Sequence, residues 1–401
     1  MSEGGARHAF VGPGEHDQRR ATFLAALHDD GLDGACLFGH LAIHYLSGFA
    51  FQPTERPVAL VMRSDGESTL VVPELERDHV AALGRGFGRV VAYPEYPGER
   101  HPMASVGDAL HGLGLARGRI GVDRASYGTY WGSDGRPLAT VVPDAALVPV
   151  GERIDAMRRI KSDAEIEALR ASAALADRCH DQLLAALREG ESEVVLSLEA
   201  SARGTRTLLD AMPAGYAVTQ WGAVPAHVGF KAGPETAWPH PMGTDRRLRR
   251  GDHVNTWALV AVDGYRAELE RTLVFGEPTR AQIDAFEHML ALQSAALDAL
   301  APGRPCADVE RAVRTVAAER GVAGALRHHV GHALGLESHE APFLDLGERA
   351  VLEPGMVFSV EPGVYLAGLG GFRHSDTVVV REEGVEVLTR TPRALDELVA
   401  R

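Results

Sequence analysis

Four histidines fall within twelve residues, in His328-His329-Val-Gly-His332-Ala-Leu-Gly-Leu-Glu-Ser-His339. Imidazole is the commonest transition-metal ligand, and nearby carboxylates would complete a hydrolytic centre. A further histidine, His240, is set between Pro239 and Pro241 after Gly233. Prolines on both sides stiffen its mount and give the ring a defined position. An imidazole titrates near neutrality, so it can take a proton from water and return it to a leaving nitrogen. Glu270 and Glu361 suit a cationic amidine or guanidine through charge-assisted hydrogen bonds. Arg56 and Arg373 suit a carboxylate, which a guanidinium grips with two parallel bonds. The set matches a small zwitterionic substrate with a carboxylate at one end and an amidinium at the other.

Each of these residues also has a plainer reading. His240 is then a solvated ring, Glu270 the cross-strand partner of Arg271, and Glu361, before Pro362-Gly363, a turn-capping carboxylate. Arg373 then pairs with Asp376, and Arg56 is a loop charge in a Pro-rich stretch. His328 and His332 have the i, i+4 spacing of a helical metal face, but Val330, Gly331 and Gly335 argue against a helix there. Asp252 and Asp263 stand beside glycines and read as turn residues.

The elements that must position these groups differ between the two halves. Gln18 to Leu27 has helical spacing of apolar residues. Short apolar runs at Gly34 to Phe38, Val58 to Met62, Ser68 to Val72, Arg89 to Ala92 and Arg119 to Val122 read as strands. Helical patterns such as Ala104 to Leu113 lie between them, which predicts an α/β layer domain. A boundary is expected near residues 150 to 160. Ser162 and Glu165 then form a capping box that starts a helix, continued by Ile166, Leu169, Ala173 and Ala176. Beyond it the rhythm is α+β, with strands expected at Val254 to Val262, Ala267 to Phe275, Met356 to Val360 and Thr377 to Val380. A helix is expected from Pro305 to Glu319.

The bulk numbers narrow the classes. A chain of 401 residues, 45% hydrophobic and 24% charged, is globular and long enough for two or three domains. Its 41 basic against 55 acidic side chains leave a net charge of −14, which argues against nucleic acid as a partner. Cys36, Cys179 and Cys306 are far apart and odd in number, so no disulfide framework is expected and a reducing cytoplasm fits. Met1 to Asp17 has no apolar stretch of a signal peptide, and no apolar run approaches a membrane span.

Six blocks then resemble the family of creatinase, prolidase, aminopeptidase P and methionine aminopeptidase, with its pita-bread fold. They are Ile43-His-Tyr-Leu-Ser-Gly-Phe49, Arg158-Arg-Ile-Lys-Ser162, Gly233-Pro-Glu-Thr-Ala-Trp-Pro-His240, Gly264-Tyr265 with Leu269-Glu-Arg-Thr272, Gly331-His332 through His339-Glu340, and Glu353 through Tyr365. A weaker seventh is Gly371-Phe-Arg-His-Ser-Asp376. Residues 1–15, rich in Gly, read as a flexible tail, and the resemblance implies an α/β amino-terminal domain over 16–155 and an α+β pita-bread catalytic domain over 156–401.

The metal peptidases of that family hold two ions with two aspartates, a histidine and two glutamates. Here those positions fall at Trp257, Glu268, His332, Glu361 and Ser375. An indole nitrogen is a donor only and cannot ligate a cation, and a serine hydroxyl is a poor bridging ligand. Creatinase is the family's metal-free hydrolase. Leu269-Glu270-Arg271-Thr272 matches its strand, whose glutamate faces the substrate guanidinium. Arg56-Pro57 with Ala59-Leu-Val61 matches the stretch whose arginine reaches the neighbouring subunit's site. Thr54 and Ser375 depart from creatinase, and His339-Glu340-Ala-Pro342 is similar to the peptidase branch.

The expectation is a metal-independent hydrolase of a C–N bond in a small guanidino, amidino or cyclic amidine acid, creatinase-like or ectoine-hydrolase-like. Its catalytic residues would be His240, Glu270 and Glu361. Arg56, Trp257, Glu268, His328, His332, His339 and Arg373 would bind substrate, with no cofactor, in a homodimer. The alternative is a metal-dependent Xaa-Pro dipeptidase or aminopeptidase whose reduced site holds one zinc or manganese on Glu268, His332 and Glu361. A non-hydrolytic lyase, a biosynthetic enzyme and an inactive binding protein on the same fold stay open.

Overall fold

The computed structural model describes residues 8–83, 86–219 and 224–400. The chain forms two compact units, Met1–Arg158 with Gly215–Trp221, and Arg159–Ala214 with Gly222–Arg401.

The first unit runs α1 (Pro13–Asp29), β1 (Gly34–Leu37), α2 (His40–Ser47), β2 (Ala59–Arg63), β3 (Ser68–Pro73), α3 (Arg77–Leu83), β4 (Arg89–Tyr93), α4 (Met103–Gly112), β5 (Arg119–Val122) and β6 (Ala146–Pro149). Its sheet has the order β4-β3-β2-β1-β5-β6. β1 to β3 pair antiparallel, and the flanking pairs are parallel. The central strands are buried on both faces, so they read as unbroken apolar runs rather than alternating ones. One core cluster joins Cys36, Val61 and Ile120 to Val106 and Leu110 of α4. Helix α1 reaches back to Pro13, into the stretch expected to be a tail. A proline at the first turn gives up no hydrogen bond and has the helical φ already set. Residues 1–7 of that expected tail lie outside the described residues.

After α5 (Gly151–Arg159), the second unit opens on α6 (Asp163–Ala186), whose capping box is present as expected: Glu165 N donates to Ser162 Oγ and Ser162 N to Glu165 Oε2. Then come α7 (Glu193–Ala211), β7 (Ala226–Ala232), β8 (His253–Val262), β9 (Tyr265–Phe275), α8 (Arg280–Ala299), α9 (Cys306–Glu319), β10 (Gly331–Ala333), β11 (Glu340–Leu344), β12 (Val357–Val360), β13 (Gly363–Leu366), β14 (Gly370–Arg373), β15 (Asp376–Arg381), β16 (Gly384–Val387) and β17 (Val399–Ala400). One sheet is β17-β9-β8-β7, a second is β11-β10-β12-β15-β16, and β13 and β14 form a ribbon.

The long hairpin β8–β9 is the spine. Asp263 and Gly264 both have positive φ, and Val262 pairs with Tyr265 across them. That is the two-residue turn whose twist matches the strands. Helix α6 packs on the hairpin and caps its end: Ser172 Oγ accepts from Val262 N at 2.9 Å and donates to Tyr265 O at 2.8 Å. The two sheets meet where Glu270 and Ser375 exchange backbone hydrogen bonds of 3.1 and 3.0 Å. Strands β10, β11, β13 and β14 escape a reading of periodicity because they are only three to five residues long.

Candidate active site

Three strands deliver the buried polar cluster. β9 carries Glu268, β10 carries His332, and Glu361 follows the end of β12. One ligand atom from each lies within 4.8 Å of the others, and all three residues are buried. His332 is fully enclosed, with Nδ1 3.1 Å from Ala333 O. In the neutral ring that contact favours the proton on Nδ1 and leaves a lone pair on Nε2. Nε2 lies 3.2 Å from Glu361 Oε1 but makes no aligned hydrogen bond. A buried nitrogen left in this way, facing two carboxylates, is the arrangement of a metal ligand.

Glu268 is braced on one oxygen. Ser359 Oγ and Ser375 Oγ lie 2.8 and 3.0 Å from its Oε1, and 2.6 Å from each other. Its backbone is fixed by Thr377, whose hydroxyl accepts from Glu268 N and donates to Glu268 O. Ser375 therefore orients a carboxylate, although it is itself no substitute for one.

Burial is the largest influence on each group of the cluster. It pushes Glu268 up, and the charge of Glu361 adds to this. Burial also pushes Glu361 up, but its contact with His332 and the charge of Arg373 outweigh that and hold it at about 2. Burial would lower His332, yet Glu361 and Glu268 bring it up to about 9. His332 and Glu361 thus favour their charged forms against each other, while Glu268 is driven toward its neutral form.

Arg373 and Glu270 form a second, partly buried pair. Arg373 Nη2 donates to Glu270 Oε1 at 2.6 Å, its Nε touches Glu270 Oε2, and Nε is 3.7 Å from Glu361 Oε2. Neither of the plainer pairings holds. Asp376 instead takes Arg271, whose guanidinium is fully buried. Arg271 also donates to the carbonyls of Glu270, Ser375, Thr391 and Pro392 at 2.7–2.9 Å. Burial pushes Glu270 up to about 8, against the pull of Arg373.

Above the cluster opens a cavity of about 390 Å³, within the range of small-molecule sites. Glu268, Glu270, Glu361, Arg373, His339, Trp257 and His240 all line it. The His339 ring stacks on His332, 3.6 Å between centroids, and burial lowers its pKa. Trp257 pairs with Glu270 on β9 and with Gly229 on β7. A Cβ on residue 229 would sit 2.8 Å from Trp257 Cζ2, so glycine there makes room for the indole. The indole N–H is buried without a partner. His240 is exposed at the rim.

Two expected site residues, His328 and Arg56, are not among those that line this cavity. His328 stands behind the wall, with Nε2 2.8 Å from Tyr365 Oη, and burial lowers its pKa. Arg56 belongs to the first unit, where Glu55 and Glu95 already engage its guanidinium. Residues that the sequence reading missed include Tyr365, His227 and Lys231, which line the cavity. Tyr365 is the last residue of a block singled out for other reasons. His227 and Lys231 alternate on a strand that was not foreseen, so nothing pointed to them.

Residues 167–382 match the model of metallopeptidase family M24, and residues 19–160 that of the creatinase/prolidase N-terminal domain. The first match covers more than half of the chain, which therefore belongs to family M24, with the pita-bread fold of its structural neighbours. An uncharacterised peptidase of Staphylococcus aureus is 29% identical over 371 residues, 92% of this chain and 98% of that one. The dipeptidase PepE of Mycobacterium ulcerans superposes with a TM-score of 0.77 at 28% identity, over 97% of this chain and 98% of that one. A prolidase of Thermococcus sibiricus gives a TM-score of 0.79 at 25% identity, over 95% and 98%.

These findings correct the expectation of a site without a cofactor. The family is a metallopeptidase family, and Glu268, His332 and Glu361 converge on one point. Trp257 and Ser375 stand at two of the expected ligand positions, yet the other three residues still lie together, with ligand atoms within 4.8 Å of one another. The metal-free, creatinase-like reading loses its basis with it.

Proposed function

We propose that this chain is a metal-dependent peptidase of short peptides, Xaa-Pro dipeptides first among them, with a reduced centre for one divalent cation. The observation that carries this reading is the convergence of Glu268, His332 and Glu361 within 4.8 Å of one another, with Glu268 and Glu361 lining the cavity. Two carboxylates and one imidazole are a known donor set for zinc and suit manganese as well. Such an ion, when bound, activates water and polarises a carbonyl.

The chain's own residues supply the rest. Ser359 and Ser375 hold Glu268 through one oxygen and leave the other for the centre. Arg373, braced by Glu270, sets a fixed positive charge beside Glu361 that suits a substrate carboxylate or carbonyl. His339 lies against His332 with its pKa lowered, so its neutral ring can take a proton from the attacking water and pass it to the leaving nitrogen. His240 brings a second imidazole to the same cavity from the rim. Trp257 forms one wall of the cavity.

The test is metal removal. Chelation should abolish cleavage of Xaa-Pro dipeptides, manganese or zinc should restore it, and elemental analysis should find one ion per chain. Full activity after exhaustive chelation would sink the reading.

A further inference from the structure

The cavity rim combines strong exposure with firm anchoring. Trp238 is 63% exposed and Met242 82% exposed, and both line the cavity that Glu361 and His339 share. The backbone that carries them is tied down by a buried ion pair. Lys231 of β7 and Glu193, the first residue of α7, are both buried. Lys231 Nζ lies 2.6 Å from Glu193 Oε1 and 3.1 Å from Glu235 Oε2. It also donates to Met242 O and Thr244 Oγ1, each at 3.2 Å. Glu193 Oε1 accepts from Thr244 N at 2.9 Å and from Thr244 Oγ1 at 2.8 Å. The segment is therefore held before Trp238, through Glu235, and after His240, through Met242 and Thr244.

A buried ammonium with this many acceptors is satisfied and costly to disturb. Large apolar side chains held in water at a cavity mouth, on a backbone that is already ordered, lose little entropy when a ligand covers them. Exposed apolar surface beside a polar site marks a place where something apolar binds.

We propose that Trp238 and Met242 form a substrate subsite for a bulky apolar side chain, such as that of leucine or phenylalanine. Lys231 is its positioning residue. The proposal rests on the peptidase reading, and it names the part of a short peptide that lies toward the mouth.

A series of Xaa-Pro dipeptides with glycine, alanine, leucine, phenylalanine and aspartate at the first position, cleaved by the metal-loaded full chain, tests it. The wild type should prefer leucine over glycine in kcat/KM by about tenfold or more. Trp238→Ala and Met242→Ala should each collapse that ratio to about unity, through KM. Lys231→Met should raise KM across the series and open residues 233–244 to protease, and Lys231→Arg should restore part of both. Where Lys231→Met fails to fold, Thr244→Ala removes one tie and should give the same effects in weaker form. A wild type that cleaves none of the series removes the peptidase reading and the subsite with it. Cleavage with an unchanged leucine-to-glycine ratio in both rim variants removes the subsite alone. An unchanged ratio with a dimer turned monomer in Trp238→Ala would assign this face to a second copy and likewise overturn the subsite.

Discussion

The base and the rim of the cavity are built on opposite plans. At the base, Glu268, His332 and Glu361 come from positions up to 93 residues apart and meet because two sheets are stitched at Glu270 and Ser375. At the rim, Trp238, His240 and Met242 belong to one short segment, clamped from below by Lys231 and Glu193. The base is buried and its charges act on each other with little screening. The rim is exposed, and water screens what its side chains do. Changes at the base should therefore remove the ion or the fold, and changes at the rim should alter turnover or choice of substrate while the ion stays.

The sharpest way to break that contrast is Glu361→Gln. The neutral amide is a poor ligand, so the ion should be lost in dialysis and turnover should fall about a thousandfold, or about 4 kcal/mol. Elemental analysis beside dipeptide cleavage reads both. A variant that keeps its ion would mean that Glu361 lies outside the centre.

Arg271→Met attacks the base from behind. It leaves Asp376 with Gln293, Thr389 and Arg393 but without its fully buried partner. The expected loss is about 3 kcal/mol of stability, read from the midpoint of denaturant unfolding. A loss within about 0.5 kcal/mol, as at an ordinary surface site, would show that the pair is not a structural support.

His240→Ala sharpens the contrast from the rim side. Turnover should drop about a hundredfold, as for a lost general acid or base, with metal content unchanged. A variant with full turnover would reduce His240 to the solvated ring of the plainer reading, and one that loses its ion would tie the rim to the centre.

The legibility of this chain in its sequence follows from the range of each signal. Helix α6 announces itself through a capping box and an apolar stripe, and both lie within a few turns. Strands β8 and β9 are ten and eleven residues long, enough for a pattern to stand out. The motif blocks brought His240, Glu268, Glu270, Glu361, His339 and Arg373 onto one short list, and all of them line one cavity. The same blocks led the metal reading astray. Trp257 and Ser375 were visible as absent ligands, and absence at two positions looked like the loss of the centre. Whether three donors suffice depends on how closely they converge, and no spacing along the chain states that.

Residue chemistry and local pattern thus decided which side chains are able to act and which segments are helices or long strands. Composition argued against nucleic acid as a partner, and among the described residues no helix is long and apolar enough to cross a membrane. Partnership was left to the tertiary structure. Two arginines near the site each had a carboxylate close in sequence, Glu270 beside Arg271 and Asp376 after Arg373, and the fold crossed them. Alternate residues of a strand face opposite sides, so Arg271 turns away from Glu270 into the interior and meets Asp376 there. Glu270 faces the cavity and finds Arg373 on another strand. Pairing across strands depends on register and on which sheets meet. Those are set by the burial of the whole core, and no short stretch of sequence carries them.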